Sequence, residues 1–225
     1  MNAVDHFVQQ RYFPTLRIGF EPSAEIGSRS GIKVHCRQGE WDSACGLHCA
    51  AMALTLLGSL NGVADLFKRK NGSGALLWRA GVESYFDGID GAMFRALINT
   101  VAPHTEAQEI SGTHRSLIRQ AAKALEFGQL VALNWRSKDG RYDHWVLAVG
   151  IEGIYCAGQF EAIALLCLDP SAPEPVLSAY NGHLQLREKR GGQHRGYLPY
   201  VTNQGLIFTV TVQEIVVIGS RVSEA

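Results

Sequence analysis

A chain of 225 residues with 46% hydrophobic side chains can bury one substantial core, so a single domain is expected. Twenty-one basic residues balance 21 acidic ones, which removes any general electrostatic case for nucleic acid or a membrane surface as partner. No apolar run approaches the ~18 residues needed to span a bilayer, and the start, Met1-Asn-Ala-Val-Asp-His, lacks the basic front and apolar centre of a signal peptide.

Residues 1–33 scatter polar side chains among Gly and Pro. They read as an irregular N-terminal arm with room for one short strand, packed on the domain or across its cleft; the domain proper is expected over 34–225. From Gly46 to Leu57 nearly every side chain is small or apolar, which predicts a helix buried on most sides. Asp42 or Ser43 is placed to cap it and Gly58 to end it. Val63 to Lys70 reads as a second short helix, followed by an Asn71-Gly-Ser-Gly74 turn, whereas Leu76 to Phe86 is ambiguous. Gly91 to Val101 forms an amphipathic helix with Met93, Leu97, Ile98 and Val101 on its apolar face. Thr113 to Phe127 has the clearest helical spacing, through Leu117, Ile118, Ala121, Ala124 and Leu125, and Gly128 ends it.

The chain then turns to strands, at Leu130 to Trp135, Trp145 to Ile151, Ile163 to Leu168, Val176 to Tyr180, His183 to Leu186 and Leu206 to Ile218. Asn181-Gly182 between two of these is a two-residue hairpin signal. Helices first and strands later make an α+β arrangement.

The most informative stretch runs from Gln38 to Gly58. It sets Cys45 at the mouth of the apolar helix, near unpaired N–H groups and the positive end of the helix dipole, where a thiolate is favoured over a thiol. A thiolate needs a proton acceptor, and the acceptor needs a group that fixes its tautomer. His144 is the only one of the eight histidines that opens a buried strand. The next strand ends in Asp169-Pro170, so pairing of the two would bring Asp169 beside the imidazole. Asp143, the rival orienter, neighbours His144 in an extended chain and points the opposite way.

The order Gln38, Cys45 at a helix start, His144 at a strand start, then Asp169-Pro170 resembles the papain-like cysteine peptidases. Within them, Cys45-Gly-Leu-His-Cys49-Ala-Ala-Met52 is most similar to the bacteriocin-processing peptidases, which cut leader peptides after a double glycine. The similarity spans roughly Arg37 to Pro170. It implies a papain-like fold and a thiol hydrolase needing no cofactor, with Cys45 as nucleophile, His144 as general base and acid, Asp169 as orienter and Gln38 as oxyanion donor. Its partner is then a peptide or protein substrate, in leader processing or as a toxin, effector or defence protease. The chain departs from the pattern in placing Gln38 seven positions before Cys45 rather than six, and Ala44 where an acid is usual.

Bland readings compete at each position. A cysteine in an apolar helix is usually a small buried hydrophobe, which suits Cys49, and Cys156 and Cys167 read as structural strand residues. Five irregularly spaced cysteines argue against a disulfide framework and fit a reducing cytoplasm, or export as an effector without a cleavable signal. Cys36, Cys45, His48 and Cys49 lack the paired spacing of a zinc site, so no metal is expected. Trp145 suits a core position or a shield over the ion pair, and Arg187 to Arg195 reads as a solvated basic loop. The same thioester chemistry could serve an acyltransferase or a glutamine deamidase. A redox or binding module using Cys45 and Cys49 is the remaining alternative, and it leaves His144 and Asp169 without a role.

Overall fold

The computed structural model describes residues 6–40, 42–62, 65–66, 70–186 and 196–220. Trp41, most of the segment Val63 to Lys70, and the basic run Arg187 to Arg195 lie outside these residues.

The first residues are not irregular. They form β1 (His6–Tyr12), β2 (Leu16–Arg17), β3 (Ser23–Ile26) and β4 (Arg29–Lys33). The last three pair as a small antiparallel sheet whose Leu16 and Ala24 are buried against the main core. This corrects the expectation of an irregular arm. Turns at Pro14, Gly19-Phe20 and Gly27 cut the strands too short for their alternation to register as a pattern.

Four α-helices follow among the described residues. In α1 (Cys45–Leu56), ten of 12 residues are buried, as an all-round apolar sequence requires. Gly58 takes φ +78° just past its end. Its N–H donates to Thr55 at 3.0 Å and that of Ser59 to Leu54 at 2.9 Å, a paired left-handed stop. Helix α2 (Ser73–Gly81) takes up the first half of the ambiguous segment, a 3₁₀ turn over Val82–Ser84 continues it, and the helix starts inside the turn expected at Asn71 to Gly74. In α3 (Gly91–Val101), Phe94, Leu97, Ile98 and Val101 are buried while Met93 is 40% exposed, so Phe94 takes the place expected for Met93. Strand β5 (Thr105–Ser111) leads to α4 (His114–Glu126), whose Thr113 side chain accepts from the Ser116 N–H.

The remaining strands are β6 (Leu130–Ser137), β7 (Asp143–Cys156), β8 (Gln159–Leu168), β9 (Gly182–Gln185), β10 (Leu198–Thr202) and β11 (Ile207–Ser220). They pair antiparallel in the order β7-β6-β11-β10-β9-β8, and β8 returns to β7, closing a six-stranded ring. Beyond the ring, β1 pairs with the distal half of β7, and β5 pairs with β11. The expected strand at Val176 to Tyr180 is absent, because Pro173 and Pro175 precede it and Leu177 sits at φ +55°.

Alternation along the strands creates two cores. One fills the ring, with Leu133, Val146, Ala148, Leu165, Tyr200 and Val212 meeting Leu117 and Ala121 of α4. The other lies between the outer face of β7, through Trp145, Leu147 and Val149, and helices α1 and α3. His144 has the inward parity of Val146 and stands at the rim of the ring, where the two cores meet.

Candidate active site

Helix α1 delivers Cys45 to that rim. Its Sγ lies 3.5 Å from the backbone nitrogen of Trp145, the residue after His144, and both side chains line the same cleft. The approach depends on the next residue. A Cβ on Gly46 would run into the side chains of Ile89 and Trp145, so only glycine lets the helix start press this close to β7. No side chain caps α1 and no acid stands in its first turn. The first N–H groups of the helix therefore stay aimed at the cleft. The expected capping by Asp42 or Ser43 is corrected: Ala44 is the N-cap, and Asp42 has other work.

Antiparallel register brings the acid to the base. Leu147 pairs with Leu168, so the residue after β8 falls beside the start of β7. His144 Nε2 lies 2.8 Å from Asp169 Oδ1 and 3.1 Å from Ser171 Oγ, so Nδ1 is the ring nitrogen these bonds do not use. Asp169 is 2% exposed and fully engaged. Its carboxylate also accepts from the Ser171 N–H at 2.8 Å and the Tyr200 hydroxyl at 2.9 Å. Its backbone N–H donates to Asn181 Oδ1 at 2.6 Å, and its carbonyl accepts from Asn181 Nδ2 at 2.9 Å and His35 Nε2 at 3.0 Å.

Electrostatics follow from this cage. Burial alone would raise the Asp169 carboxyl, but the charge and hydrogen bond of His144, with the Ser171 and Tyr200 donors, hold it below the usual carboxylate range. Burial alone would lower His144. That is the largest single influence, but the Asp169 charge, the bond to Asp169 and the neighbouring Cys45 together outweigh it and lift the imidazole to about 10.

Gln38 closes the other side. Its Nε2 donates to the Asp42 carbonyl at 2.7 Å, leaving its second N–H uncommitted, and its backbone N–H donates to Pro170 at 2.8 Å. Asp42 staples the loop before Cys45, accepting from the N–H groups of Gly39 at 2.8 Å and Ala44 at 3.1 Å and from the Tyr85 hydroxyl at 3.1 Å. That turn takes up the extra residue between Gln38 and Cys45. All four residues singled out in the sequence line one cleft of about 320 Å³.

Other expectations sort clearly. Asp143, at the edge of the cleft, pairs with Arg136 at 2.6 Å rather than with His144. Trp145 is a core residue, 2% exposed, its Nε1 donating to Ile89 at 2.9 Å. The ring that does shield the imidazole is Trp135, edge-to-face with His144 at 5.3 Å. Burial pushes the thiols of Cys49 and Cys167 well up, and that of Cys36 to about 12 beside His48 Nδ1 at 3.0 Å. Cys156 is partly exposed on β7.

Sequence reading missed Trp135, Tyr200, Ser171, Asn181 and His35. Asn181-Gly182 signals a hairpin, yet Asn181 is 1% exposed and spends its side chain on Asp169, a long-range use that a dipeptide cannot reveal. Ser171, two residues past Asp169 beyond a proline, was the one within local reach.

Among the described residues, no three His, Cys, Asp or Glu side chains converge as a metal-ligand set, and no helix is long and apolar enough to cross a membrane. Comparison with models of known protein families gives no match, and comparison with curated proteins gives none either.

Proposed function

We propose that this protein is a papain-like cysteine peptidase. The observation that carries the reading is Cys45, at an uncapped helix start and on one cleft with His144, together with the bond of His144 Nε2 to a buried, fully bonded Asp169 at 2.8 Å. In this reading the thiol proton already rests on the His144 imidazole in the free enzyme, and the Cys45 thiolate attacks the substrate carbonyl. The oxyanion is met by the Cys45 backbone N–H and the free N–H of Gln38, and loss of one such donor typically costs ~100- to 1000-fold in rate. Asp169 stabilises the imidazolium, which then hands its proton to the leaving amine. Water, deprotonated by the same imidazole, releases the acyl group from Cys45.

Incubation with a proteome-derived peptide mixture and with glycine-pair leader peptides, read by mass spectrometry, tests the reading. Chain scission is expected, abolished by Cys45→Ala and by His144→Ala with the fold retained. Conversion of glutamine to glutamate without scission would replace it with a deamidase, and joined peptides with an acyltransferase.

A further inference from the structure

The barrel side of the cleft is built largely from two turns, one joining β6 to β7 and the other β10 to β11. They bring Tyr142, Leu206 and Phe208 to the opening, with Trp135 behind them. Tyr142 and Leu206 are each 53% exposed, which leaves large apolar surfaces in water at the mouth of a cleft. The Phe208 ring meets Tyr142 at 5.4 Å and Trp135 at 5.5 Å, and Trp135 meets His144 at 5.3 Å. These rings brace one another, so the surface is formed before anything binds. The opposite wall, at Gln38, Asp42 and Ser43, is polar. Among the described residues lining the cleft there is no lysine or arginine, and the Asp42 and Asp143 carboxylates are already engaged, the first by the loop before Cys45 and the second by Arg136.

We infer that this ring surface receives a large apolar side chain of the substrate. The enzyme then cuts peptides bearing Leu, Met, Phe or a similar residue close to the scissile bond, rather than recognising a bare pair of glycines. The inference rests on the peptidase reading and specifies its substrate class. The geometry also sets the position. Phe208 stands two ring contacts from the imidazole, and an extended peptide advances ~3.3 Å per residue, so the apolar residue falls within about three residues of the scissile bond. Side chains alternate along an extended chain, so its neighbours would face the polar wall. An acidic side chain at this position would lose water against apolar rings with no lysine or arginine among the described lining residues to receive it, and is disfavoured.

A positional-scanning peptide library, digested by the full chain with Cys45→Ala as blank, reads the preference by mass spectrometry. Cleaved sequences are expected to share a large apolar residue within three positions of the cut. Its replacement by Asp should lower kcat/KM by about 10- to 100-fold. Leu206→Lys, at an exposed turn, should invert that order and favour the Asp peptide. Cleavage that follows glycine pairs with no apolar requirement, or a Leu206→Lys enzyme that keeps the parent preference, would overturn the inference while leaving the peptidase standing. If no peptide is cut, fluorescence anisotropy of labelled library peptides on the Cys45→Ala chain decides. Selective binding of apolar peptides, reversed by Leu206→Lys, supports the surface alone, and indifference overturns it.

Discussion

The residue that sets the tone of this site is Asp169, because every polar atom it owns is engaged. Its charge keeps a proton on His144 well above neutrality, which gives a direct expectation. Followed by NMR, the imidazole should hold its proton through the neutral range and release it near pH 10. In Asp169→Asn the midpoint should fall, since burial then acts unopposed. The sign of the stability effect follows. A histidine with a raised folded pKa contributes fully below its unfolded value of about 6.5, and that contribution drains away as pH climbs through about 10. Asp169 behaves inversely: its contribution is present above the unfolded carboxyl value of about 3.9 and is lost as pH falls. Tyr200 sharpens this, because its hydroxyl donates to the same carboxylate from inside the ring. Tyr200→Phe should move the Asp169 titration, read by carbon NMR, to higher pH and cost about 1.5–3 kcal/mol in thermal unfolding.

At the scale of elements, the decisive contact is that of α1 with β7. Gly46→Val would push branched carbons into Ile89 and Trp145 and force the helix start away from the strand. Overpacking of this kind costs about 1–3 kcal/mol. Alkylation of Cys45 by iodoacetamide should slow markedly while far-UV circular dichroism shows the helices intact. The same elements explain what could be read in advance. Helices α3 and α4 were legible almost to the residue, because their apolar spacing and caps at Asp90 and Thr113 are local properties. Cys45, His144 and Asp169 were legible because each stands at an element boundary that periodicity reveals. The arm strands, β5 and β10 were not. Their stability comes from partners far along the chain, such as Phe7 opposite Tyr155 and Thr105 opposite Ser220, and nothing local announces those pairings. Tyr200 and Asn181 were hidden for the same reason.

Over the whole molecule, the site depends on closure of the ring. Asp169 is gripped by Tyr200 of β10 and by Asn181 just before β9, and β11 pairs with β6, the neighbour of the strand carrying His144. A chain cut before Leu198 keeps Gln38, Cys45, His144 and Asp169 but loses β10 and β11. Its Cys45 should react with iodoacetamide no faster than a cysteine in a short peptide, whereas the full chain should react faster. That dependence has a consequence for vectorial synthesis. Cys45 leaves the ribosome roughly 150 residues before Tyr200 does, a lag on the order of ten seconds or more at ~5–20 residues per second. Throughout that interval the nascent polypeptide carries a thiol without its assembled relay. If the peptidase reading holds, the order in which its strands are made keeps each growing chain from attacking itself before its own ring has closed.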